Sequence, residues 1–349
     1  MQADVTIVVV PRERFSYSEE SLKSIYDHTK VPFKLVYIDG KSPKSIYKCL
    51  KSQAEEKEFK LIRKNRYLSP NEARNIGIQA VDTKYLVFID NDVVVSSGWL
   101  KALVNCAESN HAAVVGPLQC EGLPLHQTVH CAGGEAHVVV DVHGRRLMRE
   151  KMYFHRQSLE KIRHRLTQRE TELIEFHCML VRCDTFEKVG LLDESMLNIK
   201  EHVDFCMQVK KLGEKVYFEP DCVVTYVYAP PIEGTDLAYY MLRWGDDWTT
   251  KTLEHFREKW DLLENQYFKK EYKKMGWRRH KTILKPFSSY LGKNKLIQKI
   301  LYKLFIEADK KLNPYLSHSY LKSKNGLQIY DTTHDFSKRK VKELDLPLG

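Results

Sequence analysis

The sequence predicts an α/β protein: a mostly parallel sheet with helices on both faces, followed by a basic, largely helical extension. Three observations carry that expectation. Short runs of β-branched and aromatic residues alternate with helix-length segments, and the links between them are a few residues long. Two of the runs end in acidic turns, at Asp39 and at Asp90-Asn91-Asp92. The charge changes abruptly near the end: from Lys269 onward 20 Lys and Arg face 7 Asp and Glu, whereas the first 268 residues sum to −3.

The elements follow in order. Val5–Val10 is an unbroken β-branched run, the mark of a strand buried on both faces. Ser18–His28 places Leu22, Ile25 and Tyr26 at helical spacing. Lys34–Asp39 reads as a second strand and Phe59–Arg63 as a third. Ser69, Pro70 and Glu72 form the start signal of a helix: a capping side chain, a proline in the first turn and the reciprocal glutamate. That helix turns Ala73, Ile76, Gly77 and Ala80 toward a core. Tyr85–Asp90 is the fourth strand. A helix over about 98–108 and a strand over 112–115 follow, with Trp99 as a core or lid aromatic.

Beyond this the pattern loosens. Residues 129–145 alternate and are rich in Gly and His, which suggests a hairpin or loop. Residues 153–172 are charged and read as a flexible excursion beside the site. Ile174–Val181 reads as a strand, Glu201–Leu212 as a helix stopped by Gly213, and 215–219 and 223–228 as two short strands. Helices over about 237–260 precede the basic tail. In the tail, Lys295–Lys311 is amphipathic, with Leu296, Ile297, Ile300, Leu301, Leu304 and Phe305 in one stripe among lysines. Docking of that stripe on the catalytic part is the favoured reading, and binding to a membrane surface the sharper one. The expected division is a catalytic part over 1–265, with halves at about 1–117 and 118–265, and an extension over 266–349.

Composition narrows the classes. At 43% hydrophobic residues a sizeable core is available, and no apolar run nears the roughly 20 residues that span a bilayer. The first eleven residues lack the basic and apolar regions of a signal peptide, so a cytoplasmic location is expected, with peripheral contact at the inner membrane face through the basic tail. None of the eight cysteines forms a C-x-x-C pair, which argues for free thiols and against a zinc site.

Chemistry points to Asp90 and Asp92. Two carboxylates one residue apart, on a turn at a strand's carboxyl end, can share a hard cation such as Mn²⁺ or Mg²⁺, which then neutralises a diphosphate. The same residues would also simply close a turn.

Ile89-Asp-Asn-Asp92 resembles the DXD motif of family 2 glycosyltransferases, which have the GT-A, Rossmann-like fold. Val5–Val10, Val36-Tyr-Ile-Asp39-Gly40, Ala73-Arg-Asn-Ile-Gly77, Met179–Arg182 with Phe186–Glu194, and Glu201–Cys206 resemble further family segments in the family's order. The resemblance spans roughly residues 4–260. It implies a nucleoside-diphosphate sugar donor, a UDP-sugar being favoured, and transfer with inversion to a hydroxyl of a glycan, lipid-linked or other acceptor. By the same implication Pro11, Asp39, Arg74, Asp90 and Asn91 bind the nucleotide, and Asp90 and Asp92 hold the metal. The family's usual base is an Asp where this chain has His202, which leaves Glu201, His202 and Asp204 as candidates, with Asp193 or Glu194 behind them. Arg243-Trp244 resembles part of the Q-x-x-R-W run of processive members without its Gln, so a role in lining or closing the site is expected. Nucleic acid is not an expected partner. A nucleotidyltransferase would want a Gly-rich loop after the first strand, and Val10-Pro-Arg-Glu-Arg14 has no glycine. A catalytically impaired glycan- or membrane-binding scaffold of the same fold is the other alternative.

Overall fold

The computed structural model describes residues 4–228, 232–292 and 294–328. The expected mostly parallel sheet is present. In chain order the first half comprises β1 (Val5–Val10), α1 (Ser18–His28), β2 (Lys34–Gly40), α2 (Lys44–Lys57), β3 (Lys60–Lys64), α3 (Pro70–Ile78), β4 (Tyr85–Asp90), β5 (Val93–Val95) and α4 (Trp99–Asn110). The second half continues with β6 (Val114–Glu121), β7 (Val129–Cys131), β8 (Gly134–Val140), β9 (Arg146–Met152), α5 (Leu159–Ile162), β10 (Arg169–Glu170), β11 (Cys178–Arg182), α6 (Thr185–Val189), α7 (Glu201–Lys211) and β12 (Val216–Tyr226). Then come α8 (Leu237–Arg243), α9 (Asp246–Lys259), α10 (Gln266–Lys273), α11 (Trp277–Arg279), α12 (Lys285–Leu291) and the long α13 (Lys295–Gln328).

The main sheet runs β10-β12-β6-β11-β4-β1-β2-β3. β3, β2, β1 and β4 are parallel, and β6 and β12 are parallel to each other. β11 lies between the two groups, antiparallel to both β4 and β6. Alternate residues of β1 feed two different cores: Val5, Ile7 and Val9 pack with α1 and α4, and Val8 and Val10 with α3 and α7. This two-sided burial is why the run is apolar throughout. Strand order reverses between β1 and β4, where Val10 pairs with Asp90. That reversal opens a crevice at the strands' carboxyl ends.

Helix α3 starts as its sequence requires, with the full Ser69–Glu72 capping box. Its Gly77 lies so close to β1 that a Cβ there would come within 2.3 Å of Val8 Cγ1. Asn75 fixes the next layer: its Oδ1 accepts from Leu192 N at 2.9 Å and its Nδ2 donates to Leu192 O at 2.9 Å.

Several expectations change. Helix α2 is an addition; only Leu50 of it is fully buried, so its sequence carries little helical stripe. The strand expected at Ile174 starts at Cys178, because Ile174 instead packs against Gly116, where a Cβ would lie 2.1 Å from its Cγ2. The two short strands over 215–228 are one, β12, with an irregularity between Glu219 and Val223. The hairpin expected over 129–145 forms as β8–β9 and reaches Met152. The excursion over 153–172 contains α5 and the edge strand β10, and Ile162 is buried. Trp99 is a core residue, its Nε1 donating to Thr29 Oγ1 at 2.9 Å.

In the extension, docking is through another face of α13 than expected. Asp309 pairs with Arg279 at 2.7 Å, Asn313 bridges Met241 O and Asp246 N, and the Tyr320 hydroxyl donates to Glu72 at 3.1 Å. Of the apolar stripe at its start, Leu296, Ile297, Ile300 and Leu304 stay exposed, whereas Leu301 and Phe305 are half-buried and Phe305 packs on Phe287 with ring centres 5.4 Å apart. Among the described residues no helix is long and apolar enough to cross a membrane.

Candidate active site

Asp90, Asn91 and Asp92 leave β4 at the crevice, all buried. Their side chains do three different things. Asp90 is fixed from both sides: Arg74 Nη2 donates to Oδ1 at 3.1 Å, and His177 Nδ1 donates to Oδ2 at 2.9 Å. Asn91 is spent on the loop after β1, accepting from Arg12 N at 2.9 Å and donating to Arg14 O and Ser18 Oγ. Asp92 has 0% exposure, and neither of its carboxylate oxygens has a hydrogen-bond partner. Burial, and then Glu13 and Asp90, push its carboxyl well above the usual carboxylate range. A buried carboxylate without a partner is costly, and a divalent cation would supply what it lacks.

Around the pair, positive and negative groups interleave. Arg12 Nε stands 3.6 Å from Asp90, and its Nη1 stands 3.5 Å from Glu201 Oε1. Arg243 Nη2 also reaches Glu201 Oε1 at 3.5 Å, and Arg74 stands 3.9 Å from it. Burial works against the Glu201 carboxylate, but Arg243, Arg12 and Arg74 outweigh it and hold the group below its ordinary pKa. Glu201 Oε2 has no partner. Trp244 Nε1 donates to Glu13 at 2.9 Å, and the Arg278 guanidinium lies 4.0 Å from the centre of the Trp244 ring. Trp244 lies at the edge of the site, whereas Arg243 is wholly buried beside Glu201.

A cavity of about 510 Å³ opens here, and its wall includes Arg12, Glu175, His177, Glu201, His202 and Arg278. Neither Asp90 nor Asp92 reaches that wall; His177 and Arg12, which both contact Asp90, do. His202 faces Glu175, Nε2 to Oε1 at 3.8 Å. Burial takes its imidazole below the ordinary pKa despite Glu175, Glu201 and Glu150, which leaves it neutral. On the far side His130 lies between two carboxylates, Nδ1 at 2.8 Å from Glu121 and Nε2 at 3.2 Å from Glu175. Burial opposes its charge, but Glu175 and Glu121 raise it to about 9.

The other expected residues fall elsewhere. Asp204 faces α9: Lys259 and Gln208 donate to Oδ2 and Trp260 to Oδ1, each at 2.8 Å. It lines no part of the cavity, so it is set aside as a base. Asp193 is likewise tied to His255 and Lys259, and Glu194 accepts from Asn75 at 3.2 Å. Arg74 is wholly buried under Asp90 and stacks 4.1 Å from Phe176, which removes it from direct reach of a diphosphate. Pro11 contributes its carbonyl to the Tyr239 hydroxyl at 3.3 Å. Asp39, at the end of β2, accepts from Ser42 N and Oγ and from Arg63, whose guanidinium lies 4.0 Å over Tyr47.

Glu13, His130, Glu175, His177 and Arg278 were not anticipated. Glu175 and His177 lie in the turn just before β11, which carries no periodic signal.

A mostly parallel sheet with acidic groups gathered at its switch point belongs to the open α/β class, whose ligands sit at that point. Within that class the chain belongs to glycosyl transferase family 2, whose model matches residues 6–190. A Rickettsia bellii protein described as an uncharacterized glycosyltransferase is 25% identical over 109 residues, 31% of this chain and 16% of that protein's length. The crystal structure of GalNAc-T7 with UDP, GalNAc and Mn²⁺ superposes with a TM-score of 0.50 at 18% identity, covering 80% of this chain and 57% of that one. At that identity the likeness is one of fold.

Proposed function

We propose that this chain transfers a sugar, with inversion, from a nucleoside-diphosphate donor to a hydroxyl acceptor, in a reaction dependent on Mn²⁺ or Mg²⁺. The observation that carries the reading is Asp92: a fully buried carboxylate with two unpartnered oxygens, at the carboxyl end of the strand beside the sheet's switch point. Asp92, with Asp90 oriented by Arg74 and His177, would hold the cation. When bound, it would neutralise the charge that builds on the leaving diphosphate. UDP is the favoured nucleotide. Its base belongs at the end of β2, where Asp39 and Arg63 offer a charged edge, while Pro11 and Asn91 shape the neighbouring loop.

The chain's own groups divide the remaining work. Arg12 and Arg278 present guanidinium groups at the cavity wall, where diphosphate oxygens would meet them. His202, neutral and facing the cavity, is the proposed base for the acceptor proton. Glu201 keeps the Arg12–Arg243 pair in place and is the second candidate. The catalytic part is proposed as residues 1–265. The 266–349 extension adds Lys273 to Arg278 to the cavity and, through the exposed Leu296–Leu304 stripe with its lysines, a contact for anionic lipid.

Calorimetry with UDP in the presence of Mn²⁺ tests the reading. Binding is expected to be metal-dependent and lost in Asp92→Ala. Unchanged Mn²⁺-dependent affinity in that variant removes the metal assignment, and a clear preference for GDP removes the uridine part. Hydrolysis of a UDP-sugar separates an enzyme from an impaired scaffold.

A further inference from the structure

Next to Asp90, on the cavity side, lies a second group of ligand-type atoms, of which only His177 enters the proposed transfer, and that through its other ring nitrogen. His130 Nε2 and His177 Nε2 each lie 3.2 Å from Glu175 Oε2, and the three atoms fall within 4.8 Å of one another. Ligands about 2.0–2.1 Å from a tetrahedral zinc ion are separated by about 3.3 Å, so the spacing is that of a coordination shell. The orientation agrees. His177 Nδ1 donates to Asp90 at 2.9 Å and His130 Nδ1 donates to Glu121 at 2.8 Å. Metal-bound histidines commonly have this arrangement, in which a carboxylate on the far ring nitrogen fixes the ring and directs the other lone pair at the ion. All three residues are buried, yet all three reach the cavity wall, which leaves one side open.

We propose that His130, Glu175 and His177 form a binding site for one zinc-type divalent cation, separate from Asp90 and Asp92. Two imidazoles and one carboxylate suit a borderline cation better than Mg²⁺ or Ca²⁺. The cysteines, which argued against zinc in the sequence, take no part. The fourth coordination position faces the cavity. The site stands without the proposed transfer reaction.

The test uses the full chain, stripped with EDTA and titrated with ZnCl₂. Wild type and Asp92→Ala are expected to bind Zn²⁺ with affinities within a few-fold of each other. His130→Ala, checked for folding by circular dichroism, is expected to bind at least 100-fold more weakly, and Glu121→Gln about 10–100-fold more weakly. Zn²⁺ affinity in a folded His130→Ala equal to that of wild type overturns the proposal, as does Zn²⁺ binding that Asp92→Ala alone abolishes. Loss of Mn²⁺ binding in Asp92→Ala, with Zn²⁺ binding kept, separates the two sites. X-ray absorption on zinc-loaded wild type decides the matter even where a variant does not fold: two imidazoles in the shell support the site, and fewer than two overturn it.

Discussion

Replacing Asp92 by Asn keeps the shape of the side chain and removes its charge, so the two consequences of a metal site can be read in one melting experiment. In EDTA the wild-type carboxylate is buried with neither oxygen partnered, and Glu13 and Asp90 press on it. Most point changes in a core destabilise, but here the group removed is already uncompensated. The variant is therefore expected to melt at or above the wild-type temperature. Adding Mn²⁺ reverses the order. A ligand that binds only the folded state at 100 times its Kd adds about 2.7 kcal/mol. For a chain of this size, at about 2 °C per kcal/mol, that is a rise of about 5 °C in wild type, and Asp92→Asn should show almost none. Differential scanning fluorimetry in EDTA and across a Mn²⁺ series measures both arms. Equal Mn²⁺ shifts in the two proteins refute the metal assignment. A loss of about 3–5 kcal/mol in EDTA would reveal a partner for Asp92 and refute the argument from burial.

His202→Ala is expected to lower turnover about 10²–10⁴-fold with little change in nucleotide affinity, and the wild-type pH–rate profile should rise below the ordinary histidine pKa; unchanged turnover moves the base to Glu201. Asp204→Asn should leave turnover within a few-fold while lowering stability by about 1–3 kcal/mol, because an amide NH2 takes the place of one of the two oxygens that accept from Lys259 and Trp260. Asp193, held down to about 2 by Lys259 and His255 against its burial, contributes stability above the unfolded carboxyl's pKa and loses it as pH falls through 2. Discounted for its partial exposure, the gap between wild type and Asp193→Asn should be roughly 1 kcal/mol at neutral pH and narrow between pH 4 and pH 2 in urea titrations. Gly77→Ala should cost about 1–3 kcal/mol, since its methyl has no room against Val8.

What the sequence disclosed and what it concealed divide along physical lines. β1 and β4 were legible because strands buried on both faces leave an uninterrupted apolar run, and the cap of α3 because it is a local signal. The acidic turn after β4 was legible for the same reason. The position of Asp204 was not legible, because proximity in sequence is not proximity in a helix: the turn of α7 that puts His202 on the cavity carries Asp204 round to Lys259 and Trp260. His130 and Arg278 come from short elements without periodicity and reach one cavity from far apart in the chain, and Glu13 lies buried behind Arg278. The apolar stripe of α13 was read correctly as a stripe, but its partner face was not, because docking uses Asp309, Asn313 and Tyr320 instead.

The position of β11 has a consequence for how the chain is made. β4 is central to the sheet, but one of its edges is satisfied only by β11, which begins at Cys178, and β6 meets the same strand from the other side. On a ribosome adding about 5–20 residues per second, the completed β4 waits roughly 5–20 s before its neighbour is synthesised. During that interval its hydrogen-bonding edge is open and Phe88 lacks its ring contacts with Phe176 and Phe186. The nascent first half is thus a natural client for a chaperone. Slowing synthesis between residues 90 and 182 should increase aggregation, whereas slowing it after residue 228, when every strand of the described sheet has been made, should not.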